Sequence, residues 1–189
     1  LMNKVQQFEF KTAAKKEYSI ISQAYSSILS DNSGSLAGVC ASAADQRNCF
    51  TDLFKAKMKY SKVCYNNDDN YAAGGDKACF VKQIYNYDGT SQYSSAGRDG
   101  GLVLNDGTTL WLVLWYPNCD NSVKDELNII RGNFCGFIAV DINGLKKPNA
   151  WGKDIYAVGV YSNKLSPYNA GNTYFGSSYL YDVINNIDY

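Results

Sequence analysis

The chain contains no histidine. That removes Ser-His-Asp and Cys-His nucleophilic catalysis, and zinc or non-haem iron sites that need an imidazole. It also lacks an excess of either charge, with 18 Lys and Arg against 18 Asp and Glu. A neutral chain offers no electrostatic footing for nucleic acid, and none is expected as a partner. No apolar run reaches the length of about 18 residues that a spanning helix needs, and no signal peptide is recognisable. The glycine-rich stretches "AAGGD" (72–76) and "GRDGG" (97–101) lack the Lys-Ser/Thr of a phosphate loop. No two cysteines stand in the close spacing of a zinc knuckle or a redox motif.

What is present reads as one exported domain. A chain of 189 residues with 46% apolar content can bury its own core. The six cysteines are Cys40, Cys49, Cys64, Cys79, Cys119 and Cys135. An even number in a chain rich in Tyr, Asn, Ser and Gly points to disulfides and an oxidising compartment rather than six buried thiols. Of the fifteen pairings open to six cysteines, sequence neighbours are expected to join: Cys40–Cys49, Cys64–Cys79 and Cys119–Cys135. The chain opens "LMNKV". Export needs a targeting element, so an upstream segment is expected to have been removed.

Residues 3–30 predict one long helix. Phe10, Ala14, Tyr18, Ile21, Tyr25 and Ile28 recur at spacings of four and three, one apolar stripe. "SDNSGS" (30–35) ends it. The first half is more polar and is expected to project as a stem (1–30) from a globular head (31–189). A second helix is expected over 43–60, capped by Ser42 or Asp45, with Phe50, Leu53, Phe54 and Met58 on its apolar side. Its trailing lysines mark a solvated face and a helix end. Residues 65–101 are polar and turn-rich, as a functional or disulfide-stapled loop would be. Strands follow. "GLVLNDGTTLWLVLWY" (101–116) predicts a hairpin around Asn105-Asp106-Gly107, and "FCGFIAV" (134–140) with "IYAVGV" (155–160) a second pair. The expected fold class is α+β, a long N-terminal helix packed on a four-stranded antiparallel sheet. The last thirty residues read as irregular, with a helical turn at 179–187.

Between the last two strands stands "DINGLKKPNAWGKD" (141–154). Asp141, Asn143 and Asp154 could supply oxygen ligands to calcium. The spacing is not that of an EF-hand: Gly144 falls at position four, no Glu stands at position twelve, and Lys146 and Lys147 add positive charge. The other reading is an Asx-type turn, in which Asp141 and Asn143 bond their own backbone. Asp141 and Asp154 as a glycosidase pair lack any sugar platform around them. Many of the 16 tyrosines fall in loops, among them Tyr65, Tyr71, Tyr85, Tyr87, Tyr93, Tyr161, Tyr168 and Tyr174. They read equally as binding surface, subunit contact or core lid.

Two segments together carry a resemblance. "FEFKTAAKKEYSIISQAYSSIL" (8–29) resembles the segment that follows the membrane helix in type IV pilin-like proteins. "FIAVDINGLKKPNAWGKDIYAV" (137–158) resembles a signature of bacterial pilins and type II secretion pseudopilins, through Asp141, Ile142, Asn143, Gly144, Lys146 or Lys147, Pro148, Asn149, Gly152, Asp154 and Tyr156. "LNDGTTLWL" (104–112) fits the strand turn of the same family. Together they cover about a third of the chain. The cysteine-bearing C-terminal ending of the family is not recognisable. The resemblance implies a pilin-like fold, with the disulfides stapling a loop region of the head. It also implies a leader, a peptidase site and an apolar helix upstream, absent here. That helix would anchor the subunit in the inner membrane before assembly, then bundle in a filament at the cell surface or in the periplasm. The partners implied are other pilin or pseudopilin subunits. Phe10, Ala14 and Tyr18 are the expected assembly contact. Some pseudopilins bind calcium in a loop near the sheet, so a calcium ion at Asp141, Asn143 and Asp154 is a candidate ligand, with no cofactor required. The expected role is structural and not enzymatic. The alternative is a minor pilin whose Tyr-rich loops bind a surface or a secreted substrate; an extracellular enzyme is the third reading.

Overall fold

The computed structural model describes residues 4–65, 79–81, 83–86, 89, 91–93, 99–124 and 130–168. Helix α1 runs Lys4–Asp31. Ala14, Ile21, Ala24, Tyr25 and Ile28 lie on its buried face, the stripe that helical periodicity demands. Its end is set chemically: Gly34 N donates to Leu29 O at 2.8 Å, with Gly34 at φ 83° in the left-handed region that stops a helix.

Helix α2 is Gln46–Lys55, shorter at both ends than the 43–60 expected. Asp45 caps it by accepting Arg47 N and Asn48 N, each at 3.0 Å. The far end is cut short because residues 60–64 pair into the sheet.

That sheet is antiparallel and has seven strands. They are β1 (Tyr60–Cys64), β4 (Gly100–Leu104), β5 (Thr109–Leu114), β6 (Asn121–Lys124), β7 (Ile130–Asp141), β8 (Ile155–Tyr161) and β9 (Lys164–Pro167). The order is β1-β4-β5-β7-β8-β9, with β6 pairing the early part of β7. A separate ribbon joins β2 (Gln83–Tyr85) to β3 (Ser91–Tyr93). The expected pilin-like architecture, with its helix on a four-stranded sheet, is therefore corrected. The reason lies in β1, β6 and β9. They are four or five residues long and polar. Such strands are held by backbone pairing to an apolar neighbour, so they carry no alternation of their own. Strand β9 also falls within the C-terminal segment expected to be irregular, while the helical turn expected at 179–187 lies outside the described residues.

The pleat divides the sheet's side chains between two cores. On one face Leu110, Leu112, Leu114, Ile138, Val140, Tyr156, Val158 and Val160 meet α1 and α2. On the other, Trp111, Val113, Phe134, Phe137, Ala139, Ile155, Ala157, Tyr161 and Tyr168 meet Phe80, Val81, Ile84 and Trp151. Helix α2 lies over β4 and β5, whereas α1 approaches α2 and β9. Two tyrosines pin α1 to the sheet: Tyr25 OH donates to Tyr161 O, and Tyr156 OH donates to Ala14 O at 3.2 Å.

The disulfides are Cys40–Cys49, Cys64–Cys79 and Cys119–Cys135, each joining sequence neighbours. Cys64–Cys79 closes a separation of 15 residues, which removes unfolded-state entropy worth about 3 kcal/mol in the chain-entropy model. Three disulfides are consistent with an extracellular or periplasmic protein. Among the described residues, no helix is long and apolar enough to cross a membrane.

Candidate functional site

The loop from Asp141 to Asp154 joins the longest strand to its neighbour, and the register Asp141↔Ile155 closes the β7–β8 ladder. Its geometry is organised around Asp154. The carboxylate accepts Asn149 N at 2.8 Å and Ala150 N at 2.7 Å. Its backbone carbonyl accepts Ile142 N at 3.0 Å. One buried residue thus ties the far end of the loop to its start. The loop then docks sideways: Tyr85 N donates to Asn149 O at 2.9 Å and Trp151 N to Tyr85 O at 3.0 Å. This makes a parallel bridge between Tyr85 and Ala150 and attaches the β2–β3 ribbon.

Asp141 makes the Asx turn: its Oδ1 accepts Asn143 N at 3.3 Å. The side-chain amide of Asn143 donates to Lys147 O at 3.2 Å. Gly144 sits at φ 69°, and a Cβ there would lie 2.6 Å from Gly107 O. Only glycine lets this turn rest on the β4–β5 turn. The Lys147–Pro148 peptide is cis. Lys146 and Lys147 are exposed.

Asp141 and Asp154 are both fully buried, at 0% exposure. A sugar cannot reach them, which disposes of a glycosidase pair. Burial raises the Asp141 carboxyl well above the usual carboxylate range, and the neighbouring Asp154 charge pushes it further. Asp154 is also raised, chiefly by burial, against the N–H donors of Ala150 and Asn149 and the Asn143 amide. Neither carboxylate pairs with a lysine or arginine among the described residues. The oxygens Asp141 Oδ2, Asn143 Oδ1 and Asn149 Oδ1 are buried without a partner. So is Thr109 Oγ1, on the residue directly opposite Asp141 across the β5–β7 ladder. The structure therefore brings Asp141, Asn143 and Asp154 together. Sequence reasoning missed Asn149 and Thr109; the first lies within the quoted motif, the second announces itself only through strand register.

The expected assembly residues fall differently. Ala14 is fully buried in the chain's own core, and Tyr18 packs against that core. Phe10 is half-buried. The apolar side chains that α1 exposes are Val5, at 65%, and Phe8, at 71%. Among the loop tyrosines, Tyr161 and Tyr168 are core residues, whereas Tyr65 and Tyr85 are half-buried. The side chain of Tyr93, and Tyr71, Tyr87 and Tyr174 altogether, lie outside the described residues. On the sheet, the exposed aromatics among the described residues are Tyr60, at 36%, and Trp115, at 50%, the latter edge-on to Phe137 with ring centres 5.0 Å apart.

No family model matches the chain, and no curated protein or solved structure gives a significant match.

Proposed function

We propose that the chain is a structural, non-enzymatic subunit of a bacterial filament of the type IV pilus or secretion-pseudopilus kind, polymerising through α1. The observation that carries this reading is the asymmetry of α1. Its second half is held in the core, while its first turns expose Val5 and Phe8. Exposed apolar residues clustered at one end mark a place where another surface is buried. The two sequence segments 8–29 and 137–158 supply the kind of assembly. The partners are other subunits of the same kind. Inner-membrane anchoring before assembly, and a place on the cell surface or in the periplasm, follow from the same resemblance.

The alternative, a minor subunit that binds a surface or a secreted substrate, draws on the half-exposed Trp115 at the rim of the aromatic core. Both readings meet one experiment. The full-length protein is followed in its own cells, and filaments are sheared from the surface and assayed for this chain. Phe8→Asp, at a solvent-exposed position, is expected to leave the head folded and remove the chain from the filament fraction. Undiminished recovery of Phe8→Asp in filaments would sink the assembly reading. Trace recovery of the parent chain favours the minor subunit.

A further inference from the structure

We propose that one end of the molecule seats on an anionic phospholipid surface. The contact is made by the tip of the β7–β8 loop (145–147), by Lys59 and Tyr60 at the start of β1, and by the first turns of α1.

Topology brings these segments to one end. The β4–β5 turn and the β7–β8 loop leave the sheet together, because Thr109 pairs with Asp141 and Asp141 with Ile155. They touch there: a Cβ on Gly144 would lie 2.6 Å from Gly107 O. Tyr60 opens β1 opposite Leu104, which ends β4 at the same turn. Helix α1 runs parallel to β8. Ala14 O accepts Tyr156 OH near the start of that strand, and Tyr25 OH donates to Tyr161 O at its finish. Residues before Ala14 therefore extend past the end that carries the turns. At 1.5 Å per residue, Phe8 stands about 9 Å beyond Ala14.

Two kinds of side chain collect there. Of the five large apolar side chains exposed among the described residues, Val5, Phe8, Tyr60 and Leu145 are at this end, and Trp115 is at the other. Lysines stand beside them. Lys59 precedes Tyr60, and Lys146 and Lys147 follow Leu145, all three exposed. Among the described residues, no carboxylate pairs with these three. The acids of the same end are engaged or hidden: Asp106 is held by Lys16, and Asp141 and Asp154 are fully buried. Glu9 is exposed on α1. The chain is neutral as a whole, so the positive charge here is a matter of placement.

That mixture selects the partner. At a bilayer interface, apolar side chains enter the acyl boundary while ammonium groups meet lipid phosphates. Lysine stems lie along the apolar layer and keep their heads at the phosphates. Nucleic acid would answer the lysines and leave Leu145 and Phe8 in water. A second copy docked by the same end would answer the apolar residues but set lysine against lysine. Among the described residues no helix can cross a membrane, so the seat is peripheral. It does not rest on the filament reading: Lys146 and Lys147 lie outside the α1 contact that Phe8→Asp probes.

The isolated 189-residue chain is floated with vesicles of phosphatidylethanolamine and phosphatidylglycerol, and with vesicles of phosphatidylcholine alone. It is expected to rise with the first and not the second, and to be released by high salt. One lysine near an anionic surface is worth about fivefold in affinity, so Lys146→Gln with Lys147→Gln should weaken partitioning about 25-fold. Leu145→Asp should weaken it too. Lys164→Gln, at an exposed position opposite Tyr161 at the other end of the sheet, should stay within about twofold of the parent. All these positions are exposed, and circular dichroism checks that each variant is folded. No flotation of the parent with phosphatidylglycerol vesicles overturns the seat. So does a loss from Lys164→Gln as large as that of the double variant, which would make the attraction general. A parent that dimerises without lipid, and turns monomeric on Leu145→Asp, overturns it in favour of a second copy.

Discussion

The two faces of the sheet solve the same burial problem with different materials. The face under α1 and α2 is mostly aliphatic, and the helices bring a ready-made stripe of Ile21, Ile28, Phe50 and Phe54 to it. The opposite face is aromatic: Trp111, Phe134, Phe137, Tyr161 and Tyr168 stack or meet edge-on, with ring centres 5.2 to 5.8 Å apart. Its cover is pieced together from Phe80, Val81, Ile84 and Trp151, secured by the Cys64–Cys79 disulfide and the Asp154 latch. Large rings bury much area per residue and suit a face that, among the described residues, no helix closes. A helix covers a sheet by periodicity; short segments cover it only when each is tied down.

The sharpest test of this contrast compares one truncation on each face. Phe137→Ala removes a ring in contact with Trp111, Trp115 and Tyr168, and its loss is expected to cost about 3–5 kcal/mol. Ile21→Ala, under α1, is expected to cost about 2–5 kcal/mol, with the smaller value where the helix can settle inward. Urea midpoints at constant slope would measure both. If Phe137→Ala proves the milder change, the aromatic face is not a packed core of its own.

The next effect in size is a pH dependence, and it belongs to the aromatic face. Asp141 lies in register with Thr109 and Ile155, on the Trp111 side of the sheet. Its carboxyl is raised above 3.8 by burial and by Asp154. Between the unfolded and the raised folded value, the native chain holds more protons than the unfolded chain, so stability falls as pH rises through that window. Asp154, and Glu17 on the helix side, are raised too and act in the same direction. With a chelator present, the urea midpoint should decline on going up from pH 4. Asp141→Asn should flatten that decline. A decline equally steep in Asp141→Asn would assign it to Asp154 or Glu17 instead.

Legibility follows the same division. The buried stripe of α1 could be read because 3.6 residues per turn leave a pattern in sequence. The β4–β5 hairpin could be read from Asn105-Asp106-Gly107: Gly107 N donates to Leu104 O at 3.0 Å, with Gly107 at φ 94°. Strands β7 and β8 announced themselves by length and by their apolar runs. Ser91–Tyr93 and Asn121–Lys124 did not, because the partner strand and not the local sequence makes them strands. The two cores were also illegible. Sequence does not say that alternate residues of β5 face helices on one side and loop residues on the other. At the site, Asp141, Asn143 and Asp154 stood out as a polar island between apolar runs. Asn149 was marked only as a member of the quoted motif; that its amide oxygen is buried without a donor shows only in the structure.

The smallest expected effect is at the β4–β5 turn, which Lys16 of α1 reaches through Asp106. Lys16 Nζ lies 2.6 Å from Asp106 Oδ2 and 3.1 Å from Glu17 Oε1. Burial opposes the Asp106 charge, yet the Lys16 ammonium and the Thr108 N–H prevail and hold its carboxyl at about 2. The stability this supplies is present above 3.8 and fades as pH falls toward about 2, opposite in sign to Asp141. Both partners are substantially exposed, so solvent screening limits the pair to about 0.2–1 kcal/mol. Asp106→Asn should therefore cost less than about 1 kcal/mol, most of it gone in high salt. Lys16→Met is the informative companion. It also strips the cation from Glu17, which is 1% exposed and has Oε2 without a partner. That variant should cost more than Asp106→Asn, because removing one partner strands a buried charge. Equal losses from the two would mean that Glu17 is already protonated in the folded chain, and that Lys16 serves the turn alone.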